Sequence, residues 1–189
     1  DVGAHIGLVT MPVSKMLGTS GQVIAFEPST ANCKALSQHI TLNNLSNVKV
    51  VNCLIGAQDL ETVSFFESRG VSGMNTCAPI KNENEYLKKS LCQVTIDAFC
   101  EEHVLAPEII KIDVEGYELA VLEGAKSILQ KTSPTIFLSV HPKHLRTLGR
   151  TTEELESFLD KAGYLLTDIE GNPARPVQLD EYIARAQSS

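Results

Sequence analysis

Short apolar runs alternate with segments of helical periodicity along most of this chain. Gln22 to Phe26, Val48 to Ile55, Thr62 to Phe66, Ile109 to Ile112, Thr135 to Val140 and Tyr164 to Ile169 read as strands, several apolar enough to be buried on both faces. Ile6, Val9, Val13 and Leu17 recur on one face and predict a helix from Gly7 to Leu17, kinked by Pro12 and closed by Gly18 and Gly21. Cys33, Leu36 and Ile40 mark a second helix, capped by Ser29 or Thr30 and ended by Asn43-Asn44. Asp97 is placed to cap a short helix through His103, and a further helix is predicted from Tyr117 to Leu129, with Leu122, Ala125 and Leu129 inward. Thr151-x-x-Glu154 forms a capping box ahead of the apolar face Leu155, Phe158, Leu159 and Ala162, and Gly163 stops that helix. From Glu67 to Ser90 the pattern dissolves into Gly, Ser, Asn and Lys, which predicts a loop or a substrate-facing insertion; Val177 to Leu179 is a candidate edge strand.

Strands alternating with helices predict an α/β fold with a parallel sheet and ligands at the carboxyl ends of its strands. With 189 residues, 43% of them hydrophobic, one domain spanning 1–189 can bury a sizeable core. The formal net charge of -7 argues against nucleic acid or an anionic membrane as partner, since both call for clustered cations. No apolar run approaches the roughly 18 residues needed to span a bilayer. Cys33, Cys53, Cys77, Cys92 and Cys100 are odd in number and contain no C-x-x-C pair, which fits reduced thiols in a cytoplasmic protein better than disulfides or a zinc site. The chain opens at a glycine turn with no apolar run before it, so the expectation is a fragment lacking its first strand.

That turn carries the first candidate chemistry. Asp1-Val2-Gly3-Ala4-His5-Ile6-Gly7 has the form of a strand-to-helix turn, and Ala25-Phe26-Glu27-Pro28 delivers an acid at the end of the next strand. Glycines allow close backbone approach to a ligand, and an acid roughly 20 residues beyond such a turn can accept hydrogen bonds from both hydroxyls of a ribose. The pair points to an adenosine-containing cofactor. The spacing is G-x-x-x-G rather than G-x-G-x-x-G, which counts against the pyrophosphate of NAD. S-adenosylmethionine, which has no phosphates, suits the set better: Asp1 for its amino group and Glu27 for its ribose.

A third stretch is more specific. DVGAHIG, then VIAFEP, then LNNLSNVKVVN, then IIKIDVEGYE followed by VLEGA resembles, in that order, the FkbM family of S-adenosylmethionine-dependent methyltransferases. The resemblance implies a Rossmann-like class I methyltransferase fold, with a mostly parallel seven-stranded sheet and helices on both faces. It also implies O-methylation of a hydroxyl on a small molecule or sugar. His5 stands where the family commonly has Asn. In this fold Leu54, after the third strand, would lie where the adenine is wrapped.

Asp113 ends the fourth strand and is a candidate for cofactor or acceptor; Glu115 follows it in the next turn, where it could equally be a helix-start acid. His141 ends the fifth strand and, with Asp113 and Glu115, is a candidate base for a hydroxyl nucleophile. Lys111 is expected to point away from the cleft or pair with an acid, and His5, His39, His103 and His144 carry no such argument. No metal is expected, because the fifth strand ends in Ser139 and His141 without an acid. Two rivals remain: a cofactor-binding module without catalysis of its own, and an NAD-dependent oxidoreductase. The acceptor itself is not legible, because its pocket would be built from loops.

Overall fold

The computed structural model describes residues 1–68, 70–72, 75, 77, 86–178 and 180–187. Two compact units emerge: Asp1–Leu54 with Thr62–Cys92, and Ile55–Glu61 with Gln93–Ser189.

In the first unit, strand β1 (Val23–Phe26) pairs in parallel with β2 (Val48–Val51), in a register that sets Val23 against Val48. Helix α1 (Thr10–Leu17) precedes them and α2 (Thr30–Leu42) connects them, the right-sized crossover for a parallel pair. Ala4, Ala25 and Leu36 form the buried centre, with Ile40, Val48 and Val50 packed against it. The α2 start follows expectation: Ser29 is the N-cap and its hydroxyl accepts the Asn32 N–H.

Helix α1 departs from expectation in two ways. It begins at Thr10 rather than Gly7, so Pro12 falls in the first turn, where a missing N–H costs nothing and no kink is required. Its buried residues are Thr10 and Ser14, while Val9 and Leu17 are exposed. Hydrogen bonding outweighs the apolar pattern here. Thr10 Oγ1 donates to Asp1 Oδ2 at 2.5 Å, Ser14 Oγ donates to Asn47 Oδ1, and the Asn47 amide donates to the carbonyls of Ser14, Gly18 and Gly21 at the helix end.

Strand β2 stops at Val51, and Leu54–Ile55 forms a separate short strand, β3. β4 (Leu60–Ser68) and β5 (Tyr86–Val94) join it in the order β3-β5-β4. The expected loop from Glu67 to Ser90 is therefore strand at both ends; residues 69, 73–74, 76 and 78–85 lie outside the described residues. On β4, the buried Glu67 carboxylate accepts the Ser29 hydroxyl at 2.5 Å and the Ala31 N–H, and pairs with Lys89 of β5. Burial alone would raise the Glu67 pKa, but the Lys89, Ser29 and Ala31 bonds outweigh it and hold the carboxyl below the ordinary glutamate value. A depressed carboxylate stabilises the fold above its unfolded pKa and loses that contribution as pH falls through the folded value. Glu67→Gln is thus expected to cost about 1–3 kcal/mol near neutrality, with the gap to wild type closing on acidification below the ordinary glutamate range. Urea unfolding at a series of pH values measures it, and a gap that persists unchanged into acid contradicts the assignment.

The second unit holds a four-stranded sheet of order β6-β7-β9-β8, built from β6 (Ile109–Ile112), β7 (Thr135–Val140), β8 (Tyr164–Thr167) and β9 (Asp180–Ala186). β6 and β7 are parallel, but β9 lies antiparallel between β7 and β8, so the sheet is mixed. The last strand lies beyond the expected Val177–Leu179: Val177 and Gln178 are outside any strand, and Leu179 is outside the described residues. Ile136, Leu138 and Val140 on β7 are fully buried, which the apolar run requires.

Helix α3 (Ile96–His103) is capped by Thr95, whose hydroxyl accepts the Ala98 N–H, rather than by Asp97. Asp97 caps a different helix: its two oxygens accept the N–H groups of Ser127 and Ile128, both at 2.8 Å. The helix expected from Tyr117 to Leu129 is two, α4 (Glu118–Glu123) and α5 (Lys126–Thr132). The break is at Gly124, where a Cβ would lie 2.0 Å from the Gly56 carbonyl oxygen. Helix α6 (Pro142–Thr147) follows β7 with proline at its start, and α7 (Thr152–Lys161) carries the full capping box of Thr151 and Glu154. No helix among the described residues is long and apolar enough to cross a membrane.

Candidate functional site

The sequence candidates fall into two groups, one in each unit. In the first unit, Asp1, Gly3, Gly7 and Glu27 gather around the opening turn. Val2 bridges to Phe26 in parallel fashion, and the N–H groups of Gly3 and Ala4 both donate to the Phe26 carbonyl at 3.0 Å. Gly3 (φ 78), His5 (φ 50) and Gly7 (φ 94) all take left-handed backbone, so the chain folds back tightly over the end of β1. A Cβ on Gly7 would lie 2.5 Å from Leu36 Cδ1, so the turn sits directly on the core.

Glu27 is buried and firmly oriented. Its Oε2 accepts the His5 N–H at 2.8 Å, and its Oε1 accepts the Ser29 N–H and the Asn32 amide. The carboxylate therefore also serves the start of α2. Leu54 is buried at the head of β3, two residues past Asn52, whose amide donates to the carbonyls of Glu27 and Pro28. The donor set fits an adenosine cofactor with an amino-acid end: one carboxylate (Asp1) beside a tight glycine turn, and a second (Glu27) held rigidly at a strand end. The nearby thiols are poor nucleophiles, since burial pushes Cys33 up to about 11 and Cys53 to about 12.

In the second unit, Asp113, Glu115 and His141 converge. His141 follows β7 and Asp113 follows β6, and the parallel pairing brings these two strand ends side by side. His141 Nε2 lies 3.7 Å from Asp113 Oδ1 and 3.7 Å from Glu115 Oε2. Lys111 pairs with the other oxygen of Asp113 at 3.7 Å, the structural role expected of it.

Two residues without a role in the sequence reading join this group. Glu118, wholly buried, sets its Oε1 2.7 Å from His141 Nδ1 and accepts the Gly116 N–H with the same oxygen. His144, on α6, lies 2.8 Å from Glu115 Oε2 and stacks on His141 with ring centroids 5.9 Å apart. In sequence Glu118 is one more acid at a helix start; only its burial against the end of β7 distinguishes it. Burial alone would lower the His141 pKa, but the Glu118 hydrogen bond and the charges of Glu115, Glu118 and Asp113 prevail and hold it above the ordinary histidine value. Glu115 (φ 50) and Gly116 (φ 97) are both left-handed, and a Cβ on Gly116 would sit 2.6 Å from His144 Cβ. The loop is thus pressed onto α6.

Residues 1–166 match the family model of the methyltransferase FkbM domain. The chain belongs to the FkbM methyltransferase family. Among curated proteins, this FkbM-family chain is 25% identical over 142 residues to Methyltransferase 1 of Beauveria bassiana (strain ARSEF 2860), an alignment covering 66% of the chain and 56% of that protein. A crystal structure of methyltransferase FkbM from Methylobacillus flagellatus KT superposes with a TM-score of 0.58 at 22% identity, covering 98% of this chain and 42% of that one. A precorrin-6y C5,15-methyltransferase from Geobacter metallireducens GS-15 gives a TM-score of 0.55 at 16% identity, covering all of this chain and 78% of that one. The chain thus spans about half the length of the first two relatives, and the structural likenesses establish an α/β methyltransferase fold.

Proposed function

We propose that this FkbM-family chain uses S-adenosylmethionine to methylate a hydroxyl oxygen on a small molecule or sugar. The observation that carries the reading is the His141 cluster: an imidazole held at Nδ1 by a buried carboxylate, with Nε2 facing two further acids, in a chain of a methyltransferase family. When bound, S-adenosylmethionine supplies an already activated methyl group. Asp1 holds the cofactor's amino group, Gly3 and Gly7 admit it to the backbone, Glu27 takes the ribose hydroxyls and Leu54 covers the adenine. In the other unit Asp113 and Glu115 orient the acceptor, and the cluster with His141 draws off the hydroxyl proton. The protein's contribution is alignment, exclusion of water and an outlet for that proton. The sheet is read as the seven-stranded, mostly parallel kind of this fold, and the free thiols support a reducing, cytoplasmic setting.

Calorimetric titration with S-adenosylmethionine, with NADH as control, tests the cofactor assignment. Saturable binding of the first alone is expected, weakened at least tenfold by Glu27→Ala, the order of one lost charged hydrogen-bond pair. Binding of NADH instead returns the chain to the oxidoreductase reading. Cofactor binding without transfer of labelled methyl to any hydroxyl acceptor favours the non-catalytic module.

A further inference from the structure

We propose that Asp113, Glu115 and His141 form a site for one divalent cation that accepts mixed oxygen and nitrogen ligands, with Glu118 and His144 holding two of the three donors. Among the described residues, one donor atom from each of these three lies within 4.8 Å of the others. The 3.7 Å from Nε2 to each carboxylate oxygen is less than two metal–ligand bonds of about 2.1 Å laid end to end, so a single ion can touch all three after small side-chain rotations. The expectation of no metal rested on β7 ending without an acid; the loop after β6 supplies the third donor through Glu115.

The nitrogen is prepared for this role. A carboxylate oxygen accepts, so the Glu118 contact places the imidazole hydrogen on Nδ1 and leaves the lone pair of the neutral ring on Nε2, facing Asp113 and Glu115. Metal-binding histidines are commonly fixed this way, through a carboxylate on their other nitrogen. His144 Nδ1 lies 2.8 Å from Glu115 Oε2 as an ion-pair contact without hydrogen-bond geometry, and Lys111 pairs with the other Asp113 oxygen.

An independent observation comes from Glu118 itself. It is wholly buried, and its Oε2 has no hydrogen-bond partner among the described residues. A buried carboxylate with one unsatisfied oxygen is costly unless positive charge lies close by. An ion on Nε2, across the ring from Glu118, would add positive charge to a site where three acids surround one histidine. Two carboxylates and one imidazole exclude the all-oxygen shell that Ca²⁺ takes and suit Mn²⁺ or Zn²⁺. Asp113 and Glu115 are partly exposed, so coordination positions remain for an oxygen ligand such as water. The binding of the ion does not rest on the proposed methyl transfer: with the ion on Nε2 the imidazole is a ligand, and with the ion absent it is free to act as the base.

The probe is Mn²⁺, because free cysteines elsewhere in the chain would compete for Zn²⁺. Titration of the chain, without cofactor or acceptor, is followed by the paramagnetic resonance of free Mn²⁺, with circular dichroism checking each variant's fold. One saturable site per chain is expected, lost in His141→Ala and weakened roughly 10–100-fold in Glu118→Gln. Asp113→Asn, at a half-buried position, is expected to weaken it at least as much. Absence of saturable Mn²⁺ binding overturns the proposal, as does binding that is unchanged in both Asp113→Asn and His141→Ala. A chain that binds Mn²⁺ but not S-adenosylmethionine keeps the ion site and loses the methyltransferase reading; the reverse result does the opposite.

Discussion

His141→Ala is expected to lower methyl transfer by roughly 10²–10⁴-fold while leaving S-adenosylmethionine binding within about twofold of wild type. The asymmetry follows from the division of labour between the two groups of residues. His141 is three-sidedly enclosed by Glu118, Asp113 and Glu115, all in the second unit, whereas the turn and the Glu27 carboxylate assigned to the cofactor belong to the first. Removing the imidazole takes away the group that connects three acids and leaves the buried Glu118 carboxylate without its hydrogen bond to His141. Single-turnover assays with labelled cofactor, alongside calorimetry on the same preparation, separate the two effects. Wild-type turnover in the alanine variant would remove His141 from the chemistry, whatever the role of its neighbours.

Gly116→Ala is expected to destabilise the second unit by about 2–5 kcal/mol, the sum of left-handed backbone strain and overpacking. The site needs a residue at φ 97, and an added Cβ would meet His144 at both its Cβ and its backbone carbonyl carbon, at 2.6 and 2.7 Å. The backbone of α6 cannot rotate aside as a side chain can. Gly149→Ala is the natural control: that glycine is also left-handed, at φ 72, but a Cβ there meets nothing within 4 Å. It should cost only the conformational part, about 1–2 kcal/mol. Urea midpoints of the two variants, followed by circular dichroism, give the comparison. Equal losses would mean that the loop yields and that the contact with α6 does not hold the site. The expected inequality would tie the position of Glu115, the residue just before the glycine, to the packing of the loop on His144.

The two groups also differ in how much of them local sequence encodes. The glycine turn and Glu27 are recognisable because Ala4 with Phe26 and His5 with Glu27 belong to one turn-helix-strand unit, in which a known spacing links the glycine turn to the acid that ends the next strand. The second group spans a similar separation, 23 residues from Glu118 to His141 against 22 from His5 to Glu27, but without such a rule. No spacing links a helix-start acid to the end of a later strand. His144 was silent for the same reason, since α6 is a six-residue helix with almost no periodicity to read.

By itself, the sequence determined the features that depend on residues within a turn or two of one another. The apolar runs of β1, β6 and β7, the Ser29 cap, the capping box at Thr151 and the family run around Asp113 and Glu115 are all of this kind. Tertiary structure alone decided the rest. Asp97 caps α5 rather than its own helix, because the N–H groups of Ser127 and Ile128 lie within its reach. Gly124, between α4 and α5, lies where the Gly56 carbonyl leaves no room for a Cβ. β9 enters antiparallel between β7 and β8, and Glu118 finds His141. Periodicity and capping are local codes, written in the spacing of the chain. Which polar group meets which across the fold is set by packing, where an unpaired buried group costs more than any local preference returns.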